Sequence, residues 1–187
     1  MTEQELLSGL RNGEEPAFKE LVTQFRDKVF NTALGLLQHH AEAEDTAQEV
    51  FIQVYRSIDK FKGDSALSTW IYRITVTKSL DHLRRKTRKK RFGFLSSLLG
   101  EDNRLIHEPG DFDHPGVQQE RKEDAAMLFK MISQLPENQR TTFVLKKVEE
   151  LSYREIAAIL NTSEAAVDSL LQRAKQNLRK KLSELPP

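Results

Sequence analysis

The stretch from Phe61 to Arg91, FKGDSALSTWIYRITVTKSLDHLRRKTRKKR, sets two rings, Phe61 and Trp70, ahead of a run in which seven of the eight residues from Arg84 to Arg91 are Lys or Arg. Rings stack on bases and cations neutralise phosphates, so this order of residues suits nucleic-acid binding. Such a density of like charge repels itself unless a polyanion lies nearby. On a helix starting near Ser68, Thr75, Lys78, His82, Arg85 and Lys89 fall about one turn apart and form a row able to follow a phosphate backbone. The polar loop Lys62, Gly63, Asp64, Ser65, Ala66 lies just ahead of it. A solvated basic face is the plainer alternative, and Trp70 reads equally well as a core ring.

Other chemistry is excluded. The sequence shows no nucleophile paired with a base, no paired carboxylates in a plausible cleft and no phosphate-cradling glycine loop, so no enzyme is expected. Cysteine is absent, which removes disulfides and thiolate metal ligands. His39 and His40 are neighbours that point apart on a helix, and His107 and His114 are isolated, so neither metal nor cofactor is expected. The N-terminus lacks the basic and apolar regions of a signal peptide, and no apolar run is long enough to span a bilayer, which predicts a cytoplasmic protein without membrane insertion.

The elements that must position these residues are all helical. Tyr72, Val76, Leu80 and Leu83 recur at i, i+4, i+8 and i+11, giving the basic helix a buried stripe. Glu3 to Leu10 predicts a short helix ended by Gly13, and Pro16 opens a second whose apolar face runs from Phe18 to Ala33. A third helix, about Ala41 to Ser57, buries Ala43, Ala47, Val50, Phe51, Val54 and Ile58. Its outer side carries Glu42, Asp45, Glu49 and Gln53 around an apolar Ile52. An acidic face is usually only solvated, whereas an exposed Ile within it marks an interface with a basic partner. Residues 92–119, rich in Gly, Pro and acids, predict a linker.

Beyond the linker, Ala125, Leu128, Ile132 and Leu135 mark another helix, and Pro136 starts the next, with Phe143, Val144 and Val148. Ser152 and Glu155 form a capping box, Asn161 suits a left-handed corner, and Ala157, Val167 and Leu170 complete the spacing of a helix-turn-helix. The expectation is an all-α chain of two small helical domains, 1–91 and 120–187, joined by a flexible linker. The net charge of +1 conceals basic segments at 84–91 and 173–181 and acidic ones at 42–49 and 101–124.

These residues carry a family resemblance. Asp45 to Tyr55, DTAQEVFIQVY, with Phe61 to Ile74, FKGDSALSTWIYRI, resembles region 2 of bacterial sigma factors of the extracytoplasmic-function group. The segment from Leu135 to Arg179 resembles their region 4. The resemblance implies that Asp45, Gln48, Glu49 and Ile52 bind core RNA polymerase. It implies that the loop from Lys62 and the helix after it, with Phe61, Gly63, Asp64, Ser65, Ala66, Trp70, Arg73, Thr77, Lys78 and Arg85, open the minus-10 element and capture an unstacked base. It further implies that Ser163, Glu164, Asp168, Gln172, Arg173, Lys175, Gln176 and Arg179 read the minus-35 element. Relatives usually have Asn where this chain has Thr77, and often Lys and Arg where it has Ala166 to Leu170. A hydroxyl cannot make the bidentate base contact of an amide.

The resemblance also implies an anti-sigma factor as partner. Two rivals stand beside this reading. A helix-turn-helix regulator acting without polymerase leaves the acidic face and the aromatic-basic helix unexplained. A single-strand chaperone would bind any sequence without polymerase.

Overall fold

The computed structural model describes residues 1–98 and 127–184. Helices α1 (Glu3–Arg11), α2 (Glu15–Leu37) and α3 (His40–Ser57) are followed by a single 3₁₀ turn (Ile58–Lys60) and by α4 (Leu67–Leu98). The second described segment contains α5 (127–133), α6 (Glu137–Lys147), α7 (Tyr153–Leu160) and α8 (Glu164–Ser183). No strand occurs among the described residues. Helix α4 continues beyond position 91, into the stretch expected to be linker. The rest of that stretch, with its histidines and acidic residues, lies outside the described residues, as does Ala125.

Local chemistry sets the helix ends. Pro16 occupies the first turn of α2, where its missing N–H leaves no bond unmade. Gln38 closes α2 in the left-handed conformation, and His39 starts α3 by accepting the Glu42 amide at Nδ1, one residue earlier than the apolar pattern indicated. Ser152 and Glu155 satisfy each other's amides as a capping box, a device worth about 1 kcal/mol. Asn161 takes φ 51 at the corner between α7 and α8.

Two main cores result. Leu10, Leu21, Val29, Val50, Val54, Phe61 and Ile71 pack α1, α2, α3 and the start of α4 together. The second core joins α5, α6, α7 and α8 but also takes in Leu36 of α2 and Tyr72 and Val76 of α4. The C-terminal half is therefore docked on the N-terminal half. Gly35 permits this approach, since a Cβ at that position would lie 2.7 Å from Cγ1 of Val144 on α6. Helix α4 consequently has two buried sides. Tyr72 and Val76 meet the second core, with Leu80 half-buried against it, while Thr75 and Ser79 are also fully buried.

Candidate nucleic-acid interface

The loop ahead of α4 is clamped at both ends by α1. Arg11 Nη2 donates to the Phe61 carbonyl at 2.9 Å, and Glu3 Oε1 accepts the Leu67 amide at 3.4 Å. Neither residue had any sequence signal linking it to the loop, from which each is separated by fifty residues or more. Between the clamps Lys62, Gly63, Asp64 and Ala66 are exposed and Ser65 is partly so. Gly63 sits at φ 80 with open space around it, so its backbone conformation alone asks for glycine.

Phe61 does not face this loop as an open wall. It is 4 % exposed and packs in the first core, with its ring centroid 5.2 Å from that of a partly buried Trp70. A pocket of about 230 Å³ opens instead at the C-terminal end of the loop, lined by Glu3, Leu6, Phe25, Lys28, Leu67 and Ser68. Leu6, Phe25 and Leu67 give it the apolar surface on which an unstacked base can rest, while Glu3 and Lys28 put one charge of each sign in its lining.

The basic row is shorter than its spacing suggested. Thr75 is buried, with its hydroxyl donating to the Ile71 carbonyl at 2.9 Å, so it cannot reach a phosphate. Lys78 pairs with Glu49 of α3 at 3.3 Å, and His82 lies 3.3 Å from Glu42, which also holds Lys86. Burial works against ionisation of the Glu42 carboxyl, but Lys86 and His82 outweigh it and hold the group below the usual carboxylate range. Arg85 and Lys89 remain exposed, as does Thr77. Arg73 is turned toward the C-terminal half, and its Nε donates to the Ala158 carbonyl of α7 at 3.0 Å.

On α3, Asp45, Gln48 and Glu49 are exposed and Ile52 is 49 % exposed. The outward face expected there is present, although Glu49 already has Lys78 as a partner. On α8, Val167, Leu171, Ala174 and Leu178 are buried against α6 and α7. Glu164, Gln172, Arg173, Lys175, Gln176 and Arg179 are exposed, and Asp168 is half-buried. Ser163 is the N-cap, its hydroxyl accepting the Ala166 amide at 3.2 Å.

A half-buried carboxyl lies where the halves meet. Tyr72 of α4 donates its hydroxyl to Glu149 Oε2 at 2.7 Å, with Thr32 and Lys28 of α2 also facing Glu149. Burial raises the Glu149 carboxyl above its ordinary value, and the Tyr72 and Thr32 hydroxyls and Lys28 offset this only in part. Burial, and then Glu149 itself, pushes the Tyr72 hydroxyl upward as well. The docked arrangement therefore binds the Glu149 proton more tightly than an undocked one. Docking should be firmest below the ordinary carboxyl range and weaken as pH rises through the raised value. Small-angle scattering across the mildly acidic range should show the chain expanding with pH, and Glu149→Gln should flatten that dependence.

A helix-turn-helix and a second, basic helix with a clamped loop, carried on an all-helical chain, are the parts of a DNA-binding transcription protein. Residues 21–89 match the family described as Sigma-70 region 2, and residues 125–178 match Sigma-70, region 4. The chain is 33% identical over 186 residues to the RNA polymerase sigma-H factor of Pseudomonas aeruginosa, covering 98% of this chain and 95% of that one. It is 33% identical over 180 residues to the ECF RNA polymerase sigma factor SigW of Bacillus subtilis, covering 94% of each. The chain belongs to the sigma-70 family, in its extracytoplasmic-function group. The solved structure of CnrH in complex with the cytosolic domain of CnrY shares the fold, with a TM-score of 0.70 at 20% identity over 97% of each chain.

Proposed function

We propose that this chain is a sigma factor that binds core RNA polymerase and directs it to promoters, with no catalysis of its own. The observation that carries the reading is the joint match of region 2 and region 4, in order, with relatives aligned over nearly the whole chain. A regulator using only the helix-turn-helix would not require the N-terminal half to follow region 2. In this reading residues 1–91 hold polymerase and the minus-10 element, 92–119 connect, and 120–187 read the minus-35 element.

Asp45, Gln48, Glu49 and Ile52 form the polymerase-binding face. The clamped loop and the start of α4 take the opened minus-10 strand, and the pocket beside Phe25 and Lys28 supports base capture there. The exposed face of α8 enters the major groove of the minus-35 element. Working on polymerase and promoter DNA places the protein in the cytoplasm, and no helix among the described residues is long and apolar enough to cross a membrane. An anti-sigma factor is a fitting further partner, because the fold is shared with the sigma factor RpoE of Bartonella quintana, whose structure was solved in complex with the anti-sigma factor NepR.

Run-off transcription with bacterial core polymerase, followed by sequencing of the starts, tests the proposal. Starts at a shared promoter pattern support it, and transcription no different from core polymerase alone refutes it. Salt dependence tests the phosphate contacts. Arg85→Ala and Lys89→Ala should each lower the log-log slope of promoter binding by the holoenzyme by about 0.7 to 0.9. Lys78→Ala should change it less, since Lys78 must first leave Glu49. Unchanged slopes in all three would make the row a solvated face.

A further inference from the structure

A second cleft, of about 320 Å³, lies between α4 and α6 and is not used by the proposed function. Leu83, Arg84, Thr87 and Arg88 of α4 line one side of it, and Glu137 and Arg140 of α6 line the other. Three guanidinium groups thus face a single carboxylate. That carboxylate is already engaged. Glu137 Oε1 accepts from Arg84 Nη2 at 2.6 Å, and Arg84 Nη1 also donates to Asp81 at 3.4 Å, so one guanidinium takes up both carboxylates.

The other two arginines have no carboxylate of their own. Arg88 is exposed and forms no ion pair among the described residues. Arg140 is half-buried, and its Nε is shut off from solvent without a hydrogen-bond partner. Its hydrogen bond among the described residues runs from Nη1 to the Ser133 carbonyl at 3.3 Å, a neutral acceptor at long range. Burial holds the guanidinium below its ordinary value and Glu137 offsets this only in part, yet an arginine stays charged at neutral pH. An unmatched cation of this kind is costly to bury, and an unmet donor on it marks a place for an ion or ligand.

Helix α6 adds to the field. It begins at Glu137 without a side-chain cap, which leaves the positive end of the helix beside the cleft. Thr87 adds no donor, because its hydroxyl donates back to the Leu83 carbonyl at 2.9 Å. Recognition therefore rests on the guanidiniums, whose forked donors match phosphate oxygens two at a time.

We propose that this cleft binds a small, soluble phosphate compound carrying at least two negative charges, of the class of pyrophosphate and the nucleoside diphosphates and triphosphates. Arg88 and Arg140 hold its phosphates from opposite sides, and Leu83 offers apolar contact to whatever the phosphates carry. The volume lies at the lower end of the range for small-molecule sites and is too small to admit a duplex. Both helices are needed to complete the site. The proposal concerns the free chain and does not depend on the sigma-factor reading, which run-off transcription tests separately.

Isothermal titration of the full chain with pyrophosphate, without divalent cations, should show one site filled roughly tenfold more tightly than by inorganic phosphate. Arg88→Gln removes a side chain with no internal ion pair, so the fold is kept and affinity should fall roughly tenfold, as for one charge-assisted contact. Arg140→Gln should weaken binding at least as much. Glu137→Gln removes the carboxylate from the cleft and should tighten binding instead, a change of sign that damage to the fold would not produce. Arg26→Gln deletes the same charge from an exposed position outside the cleft and sets the baseline for general attraction. Equal affinity for pyrophosphate and inorganic phosphate, or equal losses in Arg26→Gln and Arg88→Gln, would overturn the site. Titration with a duplex of unrelated sequence distinguishes the source of the phosphate. A duplex affinity unchanged by Arg140→Gln leaves the cleft to the soluble compound, whereas a loss as large as that for pyrophosphate would give it to the DNA backbone and overturn the proposal.

Discussion

Combining Ile52→Ala with Asp45→Lys is expected to weaken binding to core RNA polymerase by roughly 100-fold or more, with helical content unchanged. Ile52 is 49 % exposed within an acidic surface, a placement that gains nothing in the free chain. Burying it against a partner contributes about 2 kcal/mol, or roughly 30-fold in Kd. Asp45 is exposed and forms no ion pair among the described residues, so reversing its charge disturbs no internal partner. Its effect should fall on the association rate and on the salt dependence of binding. Glu49 is the poorer probe. It pairs with Lys78 at 3.3 Å, and Glu49→Lys would set two ammonium groups together and disturb α4 as well as the interface. Titration of labelled core polymerase with each variant reads the effect, and wild-type affinity in the double variant would remove the reason for calling this face functional.

The parts legible in the sequence were those fixed within a turn or two of chain. The capping box at Ser152 and Glu155, the left-handed Asn161 and the proline in the first turn of α2 each follow from the backbone groups of near neighbours. The apolar stripes of α3 and α8 were legible for the same reason, because each helix packs on one side. Helix α4 misled because it is covered on two sides. Thr75 passed for an outward polar residue, yet its hydroxyl bonds back to the Ile71 carbonyl and so can be buried without an unmet donor. Phe61 was assigned to an open pocket because a ring beside a polar loop suits base stacking. Burial in the first core used that ring instead.

Contacts between distant segments left no trace in local pattern. The clamp on the loop depends on Glu3 and Arg11, ordinary charged residues of a short amphipathic helix. The docking of the halves joins residues 77, 85 and 91 positions apart in the chain. Val144 was legible as a core residue, whereas Leu36 lay beyond the apolar face read for α2, and nothing in the spacing showed that the two would share one core. A family resemblance assigned roles to Arg73 and Lys78 without showing that in the free chain both already have protein partners.

Asp168→Lys is expected to tighten binding of the chain to minus-35 duplexes in general and to blur its preference at one base pair, by roughly 1 to 3 kcal/mol if Asp168 accepts from a cytosine amino group. Helix α8 buries Val167, Leu171, Ala174 and Leu178, which leaves Gln172, Arg173 and Gln176 on its open side, with Asp168 half-buried one turn nearer the N-terminus. The N-terminal part of such a helix is the end that meets base edges. Here that end carries Glu164 and Asp168, and its Ser163 hydroxyl is engaged as the cap. A carboxylate repels phosphate at any sequence but can accept a hydrogen bond from cytosine N4 at one. Asp168 thus lowers general affinity while contributing discrimination. Phosphate binding falls to Arg173, Lys175 and Arg179, all exposed toward the C-terminal part of the helix. Titration of the full chain in complex with core polymerase against duplexes varied one base pair at a time separates the two effects. Uniform tightening without loss of discrimination would mean that Asp168 only repels phosphate, and unchanged affinity and discrimination would place it outside the groove altogether.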